Sequence, residues 1–212
     1  MKRILITGIN GFVGTNFTNS WRKNHKLFGL DILQPDKEGV ERKFGWDNLG
    51  KLPPVDAIVH LAGKAHDTKN QSLAQSYFDI NTGLTQRTFD FFMQSDAKTF
   101  VFFSSVKAAA DSVPGDVLTE DVVPAPVGPY GESKIRAEEY ILNYMNRDPR
   151  AQEKNIYILR PCMIHGPGNK GNLNLLYSVV SKGIPWPLGA YENLRSFCSI
   201  DNISFVVEQL IV

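Results

Sequence analysis

The sequence predicts an α/β protein built on a doubly wound parallel sheet. Short apolar runs alternate with amphipathic segments of helical periodicity along the chain. The first apolar run ends in three glycines spaced three apart, Gly8, Gly11 and Gly14, and an amphipathic segment begins among them at Phe12. Strands that alternate with helices pair in parallel through right-handed crossovers, so we expect helices on both faces of the sheet.

The first half of the chain supplies four predicted strands and two predicted helices. Runs of consecutive apolar residues are typical of strands that are buried on both faces of a parallel sheet. Apolar residues that recur at helical spacing indicate the helices. These elements are the strands 4–6, 25–31 and 55–63, the helices 12–23 and 71–94, and a short strand 42–45 inside the polar loop 34–54.

The second half continues the alternation. The apolar run 98–105 predicts a central strand that ends in two serines, and 130–147 is predicted to be a helix. The loop 109–129 between them is long for a compact domain, which favours a functional role. The remaining elements are a strand 155–160, a loop 161–171, a helix 172–182, a turn 185–189, an extended segment 194–200 and a helix over 201–212.

Length and composition exclude several classes of protein. A chain of 212 residues with 42% hydrophobic residues can form a sizeable core. A net charge of +1 argues against a general binder of nucleic acid or membrane surfaces, and no apolar run approaches the roughly 20 residues of a membrane span. Cys162 and Cys198 show neither disulfide nor metal-site spacing, so no metal site is expected. With no room for a signal peptide before the first strand, a cytoplasmic location is expected.

The glycine triplet is typical of a turn that binds phosphate. Gly8 permits a tight turn, Gly11 lets a pyrophosphate approach backbone N–H groups, and Gly14 lets the helix pack on the strand. Asp31 follows the second apolar run near the offset of about 20 residues at which a carboxylate binds an adenosine ribose. These features predict a Rossmann-type dinucleotide site. No arginine follows Asp31 directly and a carboxylate repels a 2′-phosphate, so NAD is favoured over NADP.

Further candidate residues lie where strands end. The run 55–63 ends in Ala62 and Gly63, small residues over which a cofactor can lie. Ser104 and Ser105 follow the next apolar run, and the carboxyl ends of strands face the crevice where ligands bind in open α/β sheets.

Three polar residues have a plain structural interpretation beside the functional one. His60, inside an apolar run, is interpreted as a packing histidine. Asn81 is either an exposed helix residue or a partner of buried backbone near the cofactor. Asp47 is either a solvated loop residue or a contact to adenine.

Tyr130 and Lys134 lie four residues apart, so on a helix they share one face. A free phenol has a pKa of about 10 and is a poor base at neutral pH. We expect the Lys134 ammonium and the positive nicotinamide of an oxidised cofactor to lower the pKa of Tyr130. Ser105 supplies a hydroxyl that can hold a reacting oxygen.

Taken together, the motifs resemble the extended short-chain dehydrogenase/reductases, and more narrowly the NAD-dependent sugar-nucleotide epimerase/dehydratase family. The segments SSVK after the central strand, GPGNKGNLNLL from residue 166 and PLGAYENLRSF from residue 187 are most similar to the UDP-glucose 4-epimerase-like members and to the 4-keto-sugar reductases of surface-polysaccharide pathways. The motifs are Thr7-Gly-x-x-Gly-x-x-Gly14, His60-Leu-Ala-Gly63, Ser104-Ser105, Tyr130-x-x-x-Lys134 and Arg160-Pro-x-x-x-x-Gly-Pro-Gly168.

The resemblance implies a role for each motif residue. Tyr130 is the acid/base, Lys134 its electrostatic partner and ribose anchor, and Ser105 the holder of the sugar oxygen. Arg195 falls where the family binds the nucleotide diphosphate, and Asn172 is either a substrate contact or a helix N-cap. The cofactor-binding set is Gly8, Asn10, Gly11, Phe12, Val13, Gly14, Asp31, Ile32, Leu61, Ala62, Gly63, Asn81, Tyr130, Lys134 and Pro161.

The expected function is an NAD-dependent 4-epimerase or 4-keto reductase that acts on a nucleotide-diphosphate sugar of the UDP-hexose type. A 4,6-dehydratase is disfavoured because Val106 and Lys107 occupy the places where that group carries Asp-Glu. A non-catalytic NAD(P)-binding regulatory protein is disfavoured because Tyr130, Lys134 and Ser105 are all retained.

The resemblance also bears on organisation. Residues 1–160 are expected to form the NAD-binding domain. Residues 161–212 are expected to form late Rossmann elements and only the start of a C-terminal substrate-binding lobe, because family members are longer. The helices 71–94 and 130–147 are expected to form a homodimer interface.

Overall fold

The computed structural model describes residues 1–32, 36–65, 73–113, 115–169, 172–183 and 194–212. Within these residues, a parallel sheet contains six strands: β1 (Arg3–Thr7), β2 (Lys26–Leu30), β3 (Arg42–Phe44), β4 (Ala57–His60), β5 (Thr99–Phe103) and β6 (Asn155–Leu159). Their spatial order is β3-β2-β1-β4-β5-β6. The direction of winding reverses between β1 and β4, which is where doubly wound sheets bind their ligands.

Helices connect the strands. The α-helices are α1 (Phe12–Trp21), α2 (Ala74–Tyr77), α3 (Leu84–Gln94), α4 (Val106–Ala109), α5 (Gly128–Arg147), α6 (Asn172–Ser181) and α7 (Ile200–Ile211). A π-helical turn, Phe78–Gly83, joins α2 to α3, and 3-10 turns occupy Trp46–Lys51 and Pro149–Glu153. Two further strands, β7 (Met163–His165) and β8 (Phe197–Ser199), pair in parallel outside the main sheet.

Alternate residues of the strands pack into two apolar layers. Ile4 and Ile6 of β1 belong to the layer that also contains Trp21 of α1. Leu5, between them, belongs to the opposite layer with Phe89 of α3. Because successive side chains of a strand point to opposite faces, this division confirms the predicted sheet with helices on both sides.

The predicted helix 71–94 differs from the structure in its interior. Residues 71 and 72 lie outside the described part of the chain, and the helix begins at Ala74. Its regular geometry is interrupted by the π-helical turn, in which Asn81 is fully buried. The apolar spacing of this segment did not predict the turn, because π-helical turns are short and occur inside otherwise regular helices.

Two short elements were not predicted. α4 follows the serines of β5 directly, and the Ser105 hydroxyl caps it by accepting a hydrogen bond from the Lys107 N–H at 3.2 Å. β7 lies inside the segment predicted as the loop 161–171. Both elements are too short to show an apolar period. The predicted turn 185–189 lies outside the described residues.

The glycine turn follows the predicted geometry. Gly8 has a φ of 65°, in the left-handed region that favours glycine. A methyl group placed on Gly14 would lie 2.6 Å from the carbonyl oxygen of Gly8 and 2.7 Å from the Cα of Ile9. Since these contacts are to backbone, α1 can approach the end of β1 this closely only without a side chain at residue 14.

We predict that Gly14→Ala lowers the melting temperature by about 3–10 °C, because overpacking of this kind costs about 1–3 kcal/mol. Thermal unfolding followed by circular dichroism measures the effect. Gly50→Ala is the matched control, because a methyl group at Gly50 meets no atom within 4 Å. Equal melting temperatures for the two variants would contradict the proposed packing.

Candidate active site

The candidate residues meet at the carboxyl edge of the sheet. The glycine turn follows β1, the segment Leu61 to Gly63 follows β4, and Ser105 follows β5. Tyr130 and Lys134 lie on the first turns of α5. Parallel strands end at the same edge, so this convergence is a consequence of the strand order.

At the adenosine side, Asp31 is bonded to the glycine turn. One of its carboxylate oxygens accepts a hydrogen bond from the Asn10 N–H at 2.9 Å, and the other accepts one from the Ile32 N–H at 2.7 Å. Gly11 is exposed and lies in the turn that Asp31 contacts. The turn therefore presents backbone N–H groups for a phosphate next to a carboxylate for a ribose.

Two lysines near Asp31 contact the glycine turn, and the sequence patterns did not predict them. The Lys43 ammonium donates to the Asn10 side-chain oxygen at 2.7 Å, and the Lys37 ammonium donates to Thr15 Oγ1 at 2.9 Å and to the carbonyl of Ile9. Burial, and then the nearby Lys43 charge, lower the pKa of Lys37. A search of the polar loop for basic residues, rather than of the positions directly after Asp31, could have found them.

A buried chain of hydrogen bonds connects β1, β4 and the π-helical turn through His60. The Thr85 hydroxyl donates to the Asn81 carbonyl at 2.6 Å, so it accepts from His60 Nε2 at 3.0 Å. His60 Nδ1 is then the acceptor of the Thr7 hydroxyl at 2.8 Å. Burial, and secondarily the Lys134 charge, lower the pKa of His60 to about 3, so this histidine is neutral.

The same chain positions the end of β4. Thr7 Oγ1 accepts from the N–H groups of Leu61 at 3.1 Å and Ala62 at 3.0 Å. His60 is therefore a packing histidine, as predicted, and also the centre of a polar network that aligns the strand ends on both sides of the winding reversal.

Asn81 bonds buried backbone, the second of its two predicted interpretations. Its side-chain oxygen accepts from the Lys64 N–H at 2.7 Å, and its amide donates to the Lys64 carbonyl at 3.1 Å and to Ser133 Oγ at 2.9 Å. The Ser133 hydroxyl donates to the Tyr130 carbonyl at 2.8 Å. Through these bonds the π-helical turn holds the first turn of α5.

Tyr130 is half-buried and lies near Ser105. Burial raises the pKa of Tyr130, while the nearby Ser105 hydroxyl opposes that rise and the neighbouring Tyr77 adds to it. The expected lowering of this pKa by Lys134 together with an oxidised nicotinamide stays a prediction. Desolvation of the phenolate dominates, because the Lys134 ammonium is turned to a backbone carbonyl instead.

Lys134 is buried beneath the crevice. Its ammonium donates to the Phe103 carbonyl at 2.8 Å and lies 5.1 Å from the centre of the Phe102 ring. Burial lowers the pKa of Lys134 to about 8, and the negative charge of Glu138 opposes this shift. The Lys134 ammonium therefore loses its proton at a lower pH than an exposed lysine does.

The residues present fit a dinucleotide. A methyl group on the exposed Gly63 would lie 3.0 Å from Asn81 Oδ1 and 3.2 Å from Lys134 Nζ, so only a residue without a side chain fits against these two buried polar groups. Gly11 likewise leaves the turn free of a side chain. Together with Asp31, this cradle has the donors and acceptors that a nicotinamide dinucleotide needs.

The remaining residues predicted to bind the cofactor lie around the glycine turn and the strand ends. Phe12, Val13 and Leu61 pack against the apolar layer under the turn. Ile32 is 76% exposed. The Pro161 carbonyl accepts from the Val106 N–H at 3.3 Å, which joins the ends of β5 and β6.

The substrate-side candidates are not brought to the site by any described contact. Arg195 is exposed, and Asn172 begins α6 with a side chain outside the described part of the structure. Asp47 is exposed in a 3-10 turn. In the described ranges, no cluster of three or more His, Cys, Asp or Glu could hold a metal ion, and no helix has the length and apolar character to cross a membrane.

Comparison with solved structures identifies the class of fold. MoeE5 in complex with UDP-glucose and NAD superposes with a TM-score of 0.82 at 23% sequence identity, over 99% of this chain and 71% of that chain. The UDP-N-acetylglucosamine 4-epimerase from Bacillus cereus superposes with a TM-score of 0.77 at 22% identity, over 100% of this chain and 74% of that chain. The chain therefore has a Rossmann-like fold.

Sequence comparison identifies the family. Residues 4–204 match the model of the NAD dependent epimerase/dehydratase family, and the chain belongs to that family of enzymes. The UDP-glucose 4-epimerase of Vibrio cholerae is 32% identical over 215 residues, which covers 95% of this chain and 64% of the relative. The chain thus spans less than two thirds of the length of that relative.

We predict that the neutral state of His60 makes folding pH-dependent. The unfolded histidine has a pKa of about 6.5, so below that pH the unfolded state binds a proton that the native state does not. Stability is then lost as pH falls from about 6.5 toward 3. The His60 contribution to this loss is about 2 kcal/mol at pH 5.

Urea unfolding at pH 7 and pH 5 measures this contribution. His60→Gln should lower stability at pH 7 by about 1–3 kcal/mol through the broken hydrogen bonds, but should lose less stability than wild type on acidification. His165→Gln, at a half-buried histidine of β7 outside the network, is the control. A wild-type pH slope in His60→Gln would show that His60 titrates normally.

Proposed function

We propose that this chain carries the cofactor-binding and catalytic part of an NAD-dependent 4-epimerase that acts on a nucleotide-diphosphate hexose of the UDP type. The observation that carries the proposal is the placement of Tyr130, which lies near Ser105 and one helical turn from Lys134, at the edge of the sheet beside Gly63. A phenol, a hydroxyl and an ammonium at the end of a dinucleotide cradle are suited to moving a proton at a carbinol oxygen.

The cofactor proposal is supported by the cradle itself. Backbone N–H groups around Gly11 would bind the pyrophosphate of NAD, and Asp31 would bind the adenosine ribose. Leu61 to Gly63 and Asn81 would line the nicotinamide side. Bound NAD supplies a hydride acceptor and, once reduced, a hydride donor.

In the proposed reaction, Tyr130 takes the proton of the sugar C4 hydroxyl and later returns it. The Ser105 hydroxyl holds the same oxygen. Burial raises the pKa of Tyr130 in the structure, so the phenolate needs positive charge nearby when it forms. Lys134 and an oxidised nicotinamide are the proposed sources of that charge, and contact of Lys134 with a ribose would draw its ammonium away from the Phe103 carbonyl.

A one-way 4-keto-sugar reductase is the second candidate. The same three side chains would serve it, with Tyr130 as proton donor. A 4,6-dehydratase remains disfavoured, because Val106 and Lys107 begin α4 and offer no acid and base pair for elimination of water.

The division of the chain and its assembly are also proposals. Residues 1–160 are assigned to cofactor binding and 161–212 to the first part of a substrate-binding region, in which Asn172 and Arg195 remain candidates. Exposed apolar side chains on α6, such as Leu175 and Tyr177, support this division because a longer chain could cover them. Homodimerisation through the helices of residues 74–94 and α5 stays a prediction.

We predict that Tyr130→Phe lowers turnover by about 100-fold to 10,000-fold, the usual contribution of a general acid or base, and changes NAD affinity less than about threefold. Turnover is measured with full-length protein, NAD and a panel of UDP-hexoses, by inversion at C4 and by NADH-dependent consumption of 4-keto sugars. Calorimetry measures NAD affinity.

Tyr77→Phe is the matched control, since its ring lies 6.4 Å from the Tyr130 ring and loses only a hydroxyl. Parallel loss of turnover and NAD binding in Tyr130→Phe would point to a structural tyrosine. Wild-type protein that neither inverts C4 nor reduces 4-keto sugars would overturn the proposed function.

A further inference from the structure

An ion pair between a buried carboxylate and a partly exposed arginine lies one helical turn beyond Lys134. The Glu138 side chain is 1% exposed. Its carboxylate accepts from Arg160 Nη2 at 2.6 Å and from Arg160 Nε at 3.0 Å, and it also accepts from the hydroxyl of Ser104. These three residues are called the Glu138 cluster below.

Each member of the Glu138 cluster adjoins a residue of the proposed site. Ser104 directly precedes Ser105 at the end of β5. Glu138 follows Lys134 by one turn on the buried face of α5, and Arg160 precedes Pro161 at the end of β6. One carboxylate therefore joins the three elements that carry the hydroxyl, the ammonium and the loop after β6.

Stability alone is a weak reason for such a cluster. Removing the Glu138 carboxylate from water costs several kcal/mol, and apolar replacements of buried ion pairs are often equally stable. The paired geometry does satisfy the carboxylate, because the arginine binds it through two nitrogens and the serine supplies a further donor. An apolar residue in place of Glu138 would leave Lys134 without a fixed negative charge nearby.

The surroundings of Lys134 give that charge a role. The ammonium lies against a carbonyl and an aromatic ring. The charged and titratable groups nearest in the fold are Tyr130 and Glu138 on the same helix, Arg160 bound to Glu138, and the neutral His60 of β4. Of these, Glu138 is the group that carries a negative charge in the structure, and it favours the protonated lysine.

We propose that Glu138 is a positioning residue: held by Arg160 and Ser104, it keeps Lys134 in its ammonium form and fixes α5 against the ends of β5 and β6. This inference deepens the proposed function, because it rests on the role assigned there to Lys134. The structural part of the inference stands on the contacts alone.

Side-chain NMR of 13C-labelled lysine, in the chain without substrate, tests the proposal by titrating Lys134 directly. Lys134→Arg assigns the resonance. Glu138→Gln should lower the proton affinity of Lys134 about tenfold or more, the lower end of the effect of a close opposite charge. Glu138→Asp keeps the charge and should restore most of the wild-type titration.

Asp90→Asn is the matched control. Asp90 accepts a hydrogen bond from the Tyr140 hydroxyl of α5 at 2.5 Å, so the variant loosens the same helix without changing the charge near Lys134. An unchanged Lys134 titration in folded Glu138→Gln, or an equal shift in Asp90→Asn, would overturn the proposal.

Loss of Glu138 leaves Arg160 unpaired and could prevent folding. Glu138→Gln combined with Arg160→Gln removes both charges, and at least a threefold fall in Lys134 proton affinity is then expected, while no fall would overturn the proposal. Because the titration uses no substrate, its failure is distinct from failure of the proposed function. If Glu138→Gln shifts the Lys134 titration but the wild-type protein shows no turnover, only the proposed function is rejected.

Discussion

A buried chain of hydrogen bonds at the carboxyl edge of the sheet is the constraint on which the candidate site depends. It runs from Thr7 through His60 and Thr85 to the π-helical turn, where Asn81 continues it to α5. Buried polar groups are costly unless every one is paired, so the chain allows little freedom in how β1, β4 and α5 are aligned. This hydrogen-bonded chain therefore fixes the position of Tyr130 relative to the glycine turn.

Burial acts in opposite directions on the two groups proposed to handle the proton. It raises the pKa of Tyr130 and lowers the pKa of Lys134, so both are shifted toward their neutral forms. Charge must then be supplied where it is needed. In the proposed account, Glu138 supplies it for the lysine, and an oxidised nicotinamide, together with that lysine, supplies it for the tyrosine.

The sheet and the cradle were predictable, because consecutive apolar residues and glycines act locally. The π-helical turn, α4 and β7 were not predicted, because each is too short to show an apolar period of its own. The identities of Ser105, Tyr130 and Lys134 followed from motif order. The contacts of Lys37, Lys43 and the Glu138 cluster could be seen only in the fold, because their partners lie between about 20 and 35 residues away in the sequence.

A crystal structure of full-length protein with NAD and a UDP-hexose tests the central claim most directly. The account predicts the pyrophosphate on the turn at Gly11 and the nicotinamide over Gly63. It also predicts that the sugar C4 oxygen lies about 2.6–3.2 Å from the hydroxyls of Tyr130 and Ser105. A cofactor bound elsewhere, or a C4 oxygen that faces away from Tyr130, would contradict it.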